Sequence, residues 1–337
     1  MPLTEGLKRD LEHKLLAADT DLYSHKLTTD VVLKGHAYPH GSQTSFKVSL
    51  RVGRVSKTIQ VFGDRTCHLT TTGRLLFSPE APIEKVPLRY DFAYGGEDVA
   101  ATAKHGNPFE ALQRYLVAPL SGLRPSLYSY PRNLAGRGFL LEATPAAVEQ
   151  LRLPNLEDPV DLLTPERLVC GRLERWPELP LPQAMDWVSL GWFPRLAYCG
   201  FIPDHDEPSR PIAEVARGYA PAGILGPKLI TNKIDFRAAS GASLGLQLPF
   251  LAGGEEFELT NLHPAAPRLS FRLPRQRPRI WTDGRNGKLN ETEPVIHTVL
   301  IEPDEGHLSV VWRGSAPALR AYRPDELKQM PFRVIWT

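Results

Sequence analysis

The chain has 337 residues, of which 32 are proline and 26 glycine, with 42% hydrophobic and 23% charged residues. Proline at near twice its usual share of roughly 5% excludes a helical bundle, a coiled coil and a helical repeat array, because an internal proline costs a helix about 3 kcal/mol. The apolar content excludes disorder, and a formal net charge of +2 gives no global attraction to nucleic acid or anionic lipid. Residues 1–25 read as a helical extension, with Leu7, Leu11 and Leu15 on one face of Glu5–Ala18. The charges there leave no apolar signal-peptide core. Residues 26–151 form a β-rich N-terminal half. In Ser45–Val52 the residues Phe46, Val48, Leu50 and Val52 alternate with polar ones, and Val55–Phe62 places Lys57, Ile59 and Val61 on one face. Gly53-Arg54 between them suits a type II′ hairpin. Thr66–Thr71 and Leu75–Phe77 are expected to extend this into a β-meander.

Beyond Pro79 short helices are predicted where a cap precedes proline: Phe109–Leu116, Ala146–Leu151 and Ile212–Arg217. Residues 152–184 hold six prolines and read as a linker or a wrapping segment. Residues 185–337 return to strands at Gly245–Leu251, Glu256–Leu262, Leu269–Leu273, Arg279–Thr282, Val295–Glu302 and His307–Arg313. The last two are joined by the hairpin loop Pro303-Asp304-Glu305-Gly306. The expected fold is mainly β, antiparallel meanders or sandwich-like sheets with a few short helices and long proline-rich loops.

The motifs for chemistry are sparse. Gly241-Ala242-Ser243-Leu244-Gly245 matches GxSxG by letters, but a nucleophile elbow needs a helix next, and Pro249 stops one. A serine hydrolase using Ser243 stays as the enzymatic alternative. Cys67, Cys170 and Cys199 are too few and too scattered for a disulfide scaffold or a zinc finger. His36 and His40 flank Pro39, and Asp204-His205-Asp206-Glu207 lies between prolines, so neither has metal-site spacing. No cofactor is implied. Arg268, Arg272, Arg275, Arg277 and Arg279 form a basic stretch with no interleaved aromatic at its centre. It fits a solvated face, an acidic protein partner or, as a further alternative, nucleic acid. Trp187, Trp192, Phe193, Tyr198 and Phe201 are crowded, as in a core or a partner-binding face. The residues favour a binding or scaffolding role over an enzyme.

Several segments, in order, resemble one family. They are Thr29–Tyr38 (TDVVLKGHAY), Val48–Gly53, Lys57–Arg65, Pro87-Leu88-Arg89-Tyr90 with Ala93-Tyr94-Gly95-Gly96, then Asn133, Gly136, Gly138 and Phe139. Leu153-Pro154-Asn155-Leu156-Glu157, Gly254-Glu255-Glu256, Phe271-Arg272-Leu273-Pro274 and Val311-Trp312-Arg313-Gly314 complete the series. The chain is similar over residues 25–315 to a domain-of-unknown-function family encoded beside type VI secretion spike genes in Gram-negative bacteria. Leu134 stands where that pattern usually has proline, and His297 where an acid is usual. The resemblance implies one family domain and a cytoplasmic adaptor or chaperone. Such a protein would bind an effector toxin or its PAAR-like region and load it onto the VgrG spike. It implies no catalytic residues, no cofactor and no membrane association. The aromatic cluster Trp187–Phe201 and the arginines 268–279 are the expected partner-binding residues.

Overall fold

A computed structural model describes residues 26, 28–105, 129–130, 132–149, 151–188, 240–282, 288–316, 323, 325–326 and 329–337. Over these residues the protein is mainly β, with antiparallel sheets predominating and two short α-helices. β1 (Thr29–Leu33) is buried at every position. A strand covered on both faces has no wet row, which is why its sequence does not alternate. β2 (His36–Ala37) follows, then β3 (Ser45–Val52) and β4 (Val55–Phe62), whose inner rows are those read from the alternation, Lys57 included. Val52 sits opposite Val55, and Gly53 takes φ 56°, as the first position of a type II′ turn requires.

The expected meander stops there. β5 (Cys67–Leu69) pairs with β6 (Leu75–Phe77) in a separate two-stranded sheet. At Gly63 the chain passes so close to the Ala81 carbonyl that a Cβ would collide with it, and Arg65 then turns inward toward Glu157. β7 (Val86–Pro87) pairs with β2, and β8 (Tyr94–Gly95) runs parallel to β9 (Arg137–Gly138). α1 (Val99–His105) is a helix that the sequence reading did not place. α2 (Pro145–Glu149) overlaps the predicted Ala146–Leu151, starting one residue earlier and ending two earlier, with Pro145 in its first turn and Thr144 Oγ1 accepting from the Ala147 N–H at 3.2 Å. β10 (Leu156–Glu157) takes the place beside β4 that the third meander strand was expected to hold.

The C-terminal strands are β11 (Gln247–Leu248), β12 (Glu256–Thr260), β13 (Arg268–Arg272), β14 (Pro278–Thr282), β15 (Asn290–Thr292), β16 (Val295–Glu302), β17 (His307–Arg313) and β18 (Arg333–Trp336). β16 and β17 have the predicted bounds, and Gly306 at φ 62° closes their turn. The larger sheets have the orders β11-β1-β16-β17 and β10-β4-β3-β12-β13, with a smaller β15-β14-β18 sheet. β1 runs parallel to β16, and β3 antiparallel to β12. Strands from both halves of the sequence therefore pair side by side within each of the two larger sheets.

The main core gathers Val31–Leu33 and Val299 from one sheet with Val48, Leu50, Ile59 and Phe257 from the other. A second core holds Tyr94, Tyr130 and Phe139 with Leu153, Leu163, Leu168 and Trp176. The proline-rich stretch thus lies along the body and buries Leu153, Leu156, Leu163, Leu168 and Leu179 against it. Prolines with preset φ reduce the entropy lost in ordering such a path. Cys67 and Cys170 are buried thiols that form no disulfide. The predicted helices Glu5–Ala18, Phe109–Leu116 and Ile212–Arg217, together with Cys199 and Asp204–Glu207, lie outside the described residues. Among the described residues, no helix is long and apolar enough to cross a membrane.

Candidate functional site

Four of the segments that carry the family resemblance meet in one junction. Asn155 stands just before β10, its carbonyl accepting from the Phe62 N–H of β4 at 2.8 Å, and its side chain does much of the joining. Its backbone N–H donates to the Phe92 carbonyl at 2.8 Å, and its Nδ2 donates to the Phe62 carbonyl and Asp64 Oδ1, both at 3.0 Å. Arg137 donates from Nε to the Asp91 carbonyl at 2.9 Å and from Nη1 to Asn155 Oδ1 at 3.1 Å, with its guanidinium 4.2 Å above the Phe92 ring. Asn133 Nδ2 reaches the carbonyls of Tyr90 and Tyr94 at 2.6 and 2.9 Å. Arg65 donates to Glu157 and to the Pro154 carbonyl, and Glu157 Oε2 accepts from the Leu163 N–H at 2.7 Å. Buried backbone groups away from a ladder need such partners. These polar side chains supply them across four segments distant in sequence.

Beside the junction lies a small cleft of about 30 Å³, lined in part by Tyr90, Arg132, Val188, Ala242 and Leu244. That volume holds about two or three waters, given the roughly 10–15 Å³ each requires. Ser243 is fully buried behind it, its Oγ 2.9 Å from the Tyr90 hydroxyl. The turn at Ser243 leads into β11 rather than a helix, so it is not built as a strand-to-helix elbow. Lys57, on the inner row of β4, donates to the Leu244 carbonyl at 2.7 Å and Gln183 Oε1 at 3.0 Å. Burial pushes its pKa down to about 8.

Asp186 is the other perturbed group nearby. Burial pushes its carboxyl up to about 6, against the Trp187 N–H and the charges of Arg89 and Lys34. Unfolded, it titrates near 3.8. The native state therefore holds the proton more tightly between these values, and stability falls as pH rises through that window. Asp186→Asn keeps an oxygen for the Trp187 N–H and removes the buried charge. We expect it to raise stability at pH 7 by about 1–3 kcal/mol and to flatten the decline between pH 4 and 6. Urea melts across that range read both effects, and a variant no more stable at pH 7 would show that the charge is well accommodated.

Of the aromatic residues expected to bind a partner, Trp187 is described. It is half-buried and packs against the main core. Trp192, Phe193, Tyr198 and Phe201 lie outside the described residues. The arginines are spread over β13, the segment after it and β14, the two strands lying in different sheets, and most of them have partners. Arg272 is 3.6 Å from Glu256, and Arg279 forms a two-pronged pair with Glu291 at 2.6 and 2.8 Å. That pairing raises the Arg279 pKa and lowers that of Glu291. Arg277 donates twice to the Ala252 carbonyl, and Arg275 lies along Gly254. Arg268, at the exposed start of β13, has no ion pair among the described residues. A count along the sequence therefore overstates the free positive charge, because Glu256 and Glu291 arrive from neighbouring strands. The sequence reading also missed β18. Its Trp336 is 61% exposed and the preceding Phe332 75% exposed, while Arg333 faces the Trp281 ring at 5.7 Å.

Residues 2–313 match the model of a family described as an uncharacterized protein conserved in bacteria, DUF2169. The chain belongs to that family. No curated protein and no solved structure matches it. The DUF2169 region takes in β1 through β17, hence both large sheets, the whole junction and the five arginines, whereas β18 follows it. The match covers strands on both sides of the proline-rich stretch, as the interleaved sheets require.

Proposed function

We propose that this DUF2169 protein is a cytoplasmic type VI secretion adaptor or chaperone. It binds a cognate effector toxin, or its PAAR-like region, and loads it onto the VgrG spike. The reading starts from the ordered series of segments that resemble that family. The observation that supports it is the use those segments make of their polar side chains. Asn133, Arg137, Asn155, Arg65 and Glu157 hold the backbones of Tyr90, Asp91, Phe62, Pro154 and Leu163 in place, as expected of residues that keep a scaffold rigid. A rigid body with an exposed polar and arginine-bearing face suits reversible handover, which needs a moderate interface with a polar rim.

Co-expression with the PAAR-type or toxin product of an adjacent gene tests this. The two proteins should co-purify, and the toxin should be more soluble in the presence of this chain. Failure to co-purify, with toxin solubility unchanged, would remove the adaptor reading. Trp187→Ala should weaken capture, but its packing against the core means that it also costs about 2 kcal/mol of stability. Capture by that variant must therefore be compared well below its melting temperature.

A further inference from the structure

Among the described residues, β13 is an end strand of the five-stranded sheet, with no strand on its outer side. Its ladder with β12 is framed by hydrogen bonds from the Leu273 N–H to the Glu255 carbonyl and from the Asn261 N–H to the Pro267 carbonyl. In an antiparallel pair, bonded and non-bonded positions alternate. With Phe271 opposite Phe257 and Leu269 opposite Leu259, it is Phe271 and Leu269 that bond inward. The N–H and C=O groups of Arg268, Ser270 and Arg272 therefore point away from the sheet. The side chains of the same three residues are exposed on its wet face. Leu269 and Phe271 pack inward but are only half-buried, with Phe271 stacked on Phe257 at 5.1 Å.

An open, exposed edge is a template for another strand. A second copy is a poor occupant. Antiparallel self-pairing centred on Ser270 would set Arg268 of each copy opposite Arg272 of the other, and like charges directly opposite destabilise a ladder. The same geometry favours carboxylates at those two positions. We propose that the open edge of β13 takes up an extended segment of a partner protein. Acidic residues of that segment lie opposite Arg268 and Arg272, and apolar residues between them cover the flanks of Leu269 and Phe271. The inference rests on the adaptor reading for who the partner is, but not for the chemistry of the edge.

The probe is a fluorescent peptide, Val-Glu-Val-Ser-Val-Glu-Val, with a Lys-for-Glu version as control, added to the full chain. Anisotropy should show binding of the acidic peptide, and hydrogen exchange should slow at the amides of Arg268, Ser270 and Arg272. The double change Arg268→Glu and Arg272→Glu should weaken that peptide about tenfold or more and transfer preference to the Lys version. Ser270→Pro removes an outward N–H without touching the β12 ladder and should abolish binding. If that variant does not fold, the charge swap and its rescue decide alone. Equal binding of both peptides, or slowed exchange elsewhere, overturns the proposal. So does an oligonucleotide that binds through Arg268 and Arg272 where the peptide does not. If wild type and both variants capture the adjacent gene product equally, the edge is not the contact while the adaptor reading stands. If wild type captures nothing, the adaptor reading falls and peptide binding still judges the edge.

Discussion

Replacing either Arg65 or Glu157 alone is expected to destabilise the protein by about 3–5 kcal/mol, the usual result of stranding one charge of a buried pair. The side chains are 6% and 3% exposed. Burial raises the Glu157 carboxyl despite the guanidinium beside it, so attraction does not fully offset desolvation. The pair is thus no strong net stabiliser, yet each half depends on the other. Arg65→Met should leave Glu157 buried and uncompensated, and Glu157→Leu should do the same to Arg65. The double variant should be less damaged than the sum, by several kcal/mol, and close to about 1–3 kcal/mol below the parent. That remainder reflects the Pro154 carbonyl and the Leu163 N–H, which would lose their donor and acceptor. Urea unfolding of the four proteins closes the cycle. Additive losses, or single losses under about 1 kcal/mol, would mean that water reaches the site and the pair is not a clamp.

The same pair explains where the sequence was legible. Ser45–Phe62 could be read because one face is wet and the other dry, so the alternation records burial directly, down to Lys57 on the inner row. β16 is buried at four successive positions and shows no such alternation. It was readable instead from its run of apolar and β-branched residues, helped by the loop from Pro303 to Gly306 that leads into β17. What followed β4 was not readable. Whether Thr66 onward would join the sheet depended on the approach of Gly63 to Ala81 and on Glu157, which lies 92 positions beyond Arg65. Local pattern carries no information about such a partner. β10 has two residues and β18 lacks a dry face, so neither has a period to detect. Sheet order is also non-local. The strand at Arg268–Arg272 could be seen in the sequence, but its open edge could not, nor could the glutamates that stand beside Arg272 and Arg279. The glycines of the junction were recognisable as tight bends beside aromatics, without any sign of what they approach.

Gly95→Ala should then be among the most damaging single-methyl changes in the chain. Gly95 adopts φ 140°, a region that is closed to L side chains at a cost of about 1–3 kcal/mol. A Cβ there would also collide with the Asn133 carbonyl and come within 2.8 Å of the Asn133 Cβ. Asn133 cannot retreat, because its Nδ2 holds the carbonyls of Tyr90 and Tyr94 and its own carbonyl accepts from the Gly96 N–H at 2.8 Å. Strain and displacement together should cost about 4 kcal/mol or more, a large part of the 5–15 kcal/mol typical of a folded domain. Gly73→Ala provides the control. Gly73 also has positive φ, at 78°, but nothing lies within 4 Å of its Cβ position, so only the backbone term of about 1 kcal/mol applies. Thermal and urea melts of both variants separate the two terms. Equal losses would show that the Asn133 loop yields, and that the junction is softer than its hydrogen bonds imply. A loss at Gly95 several times larger would show the opposite. It would also place the rigidity an adaptor needs in backbone contact between the β8 and β9 segments, rather than in the surface arginines.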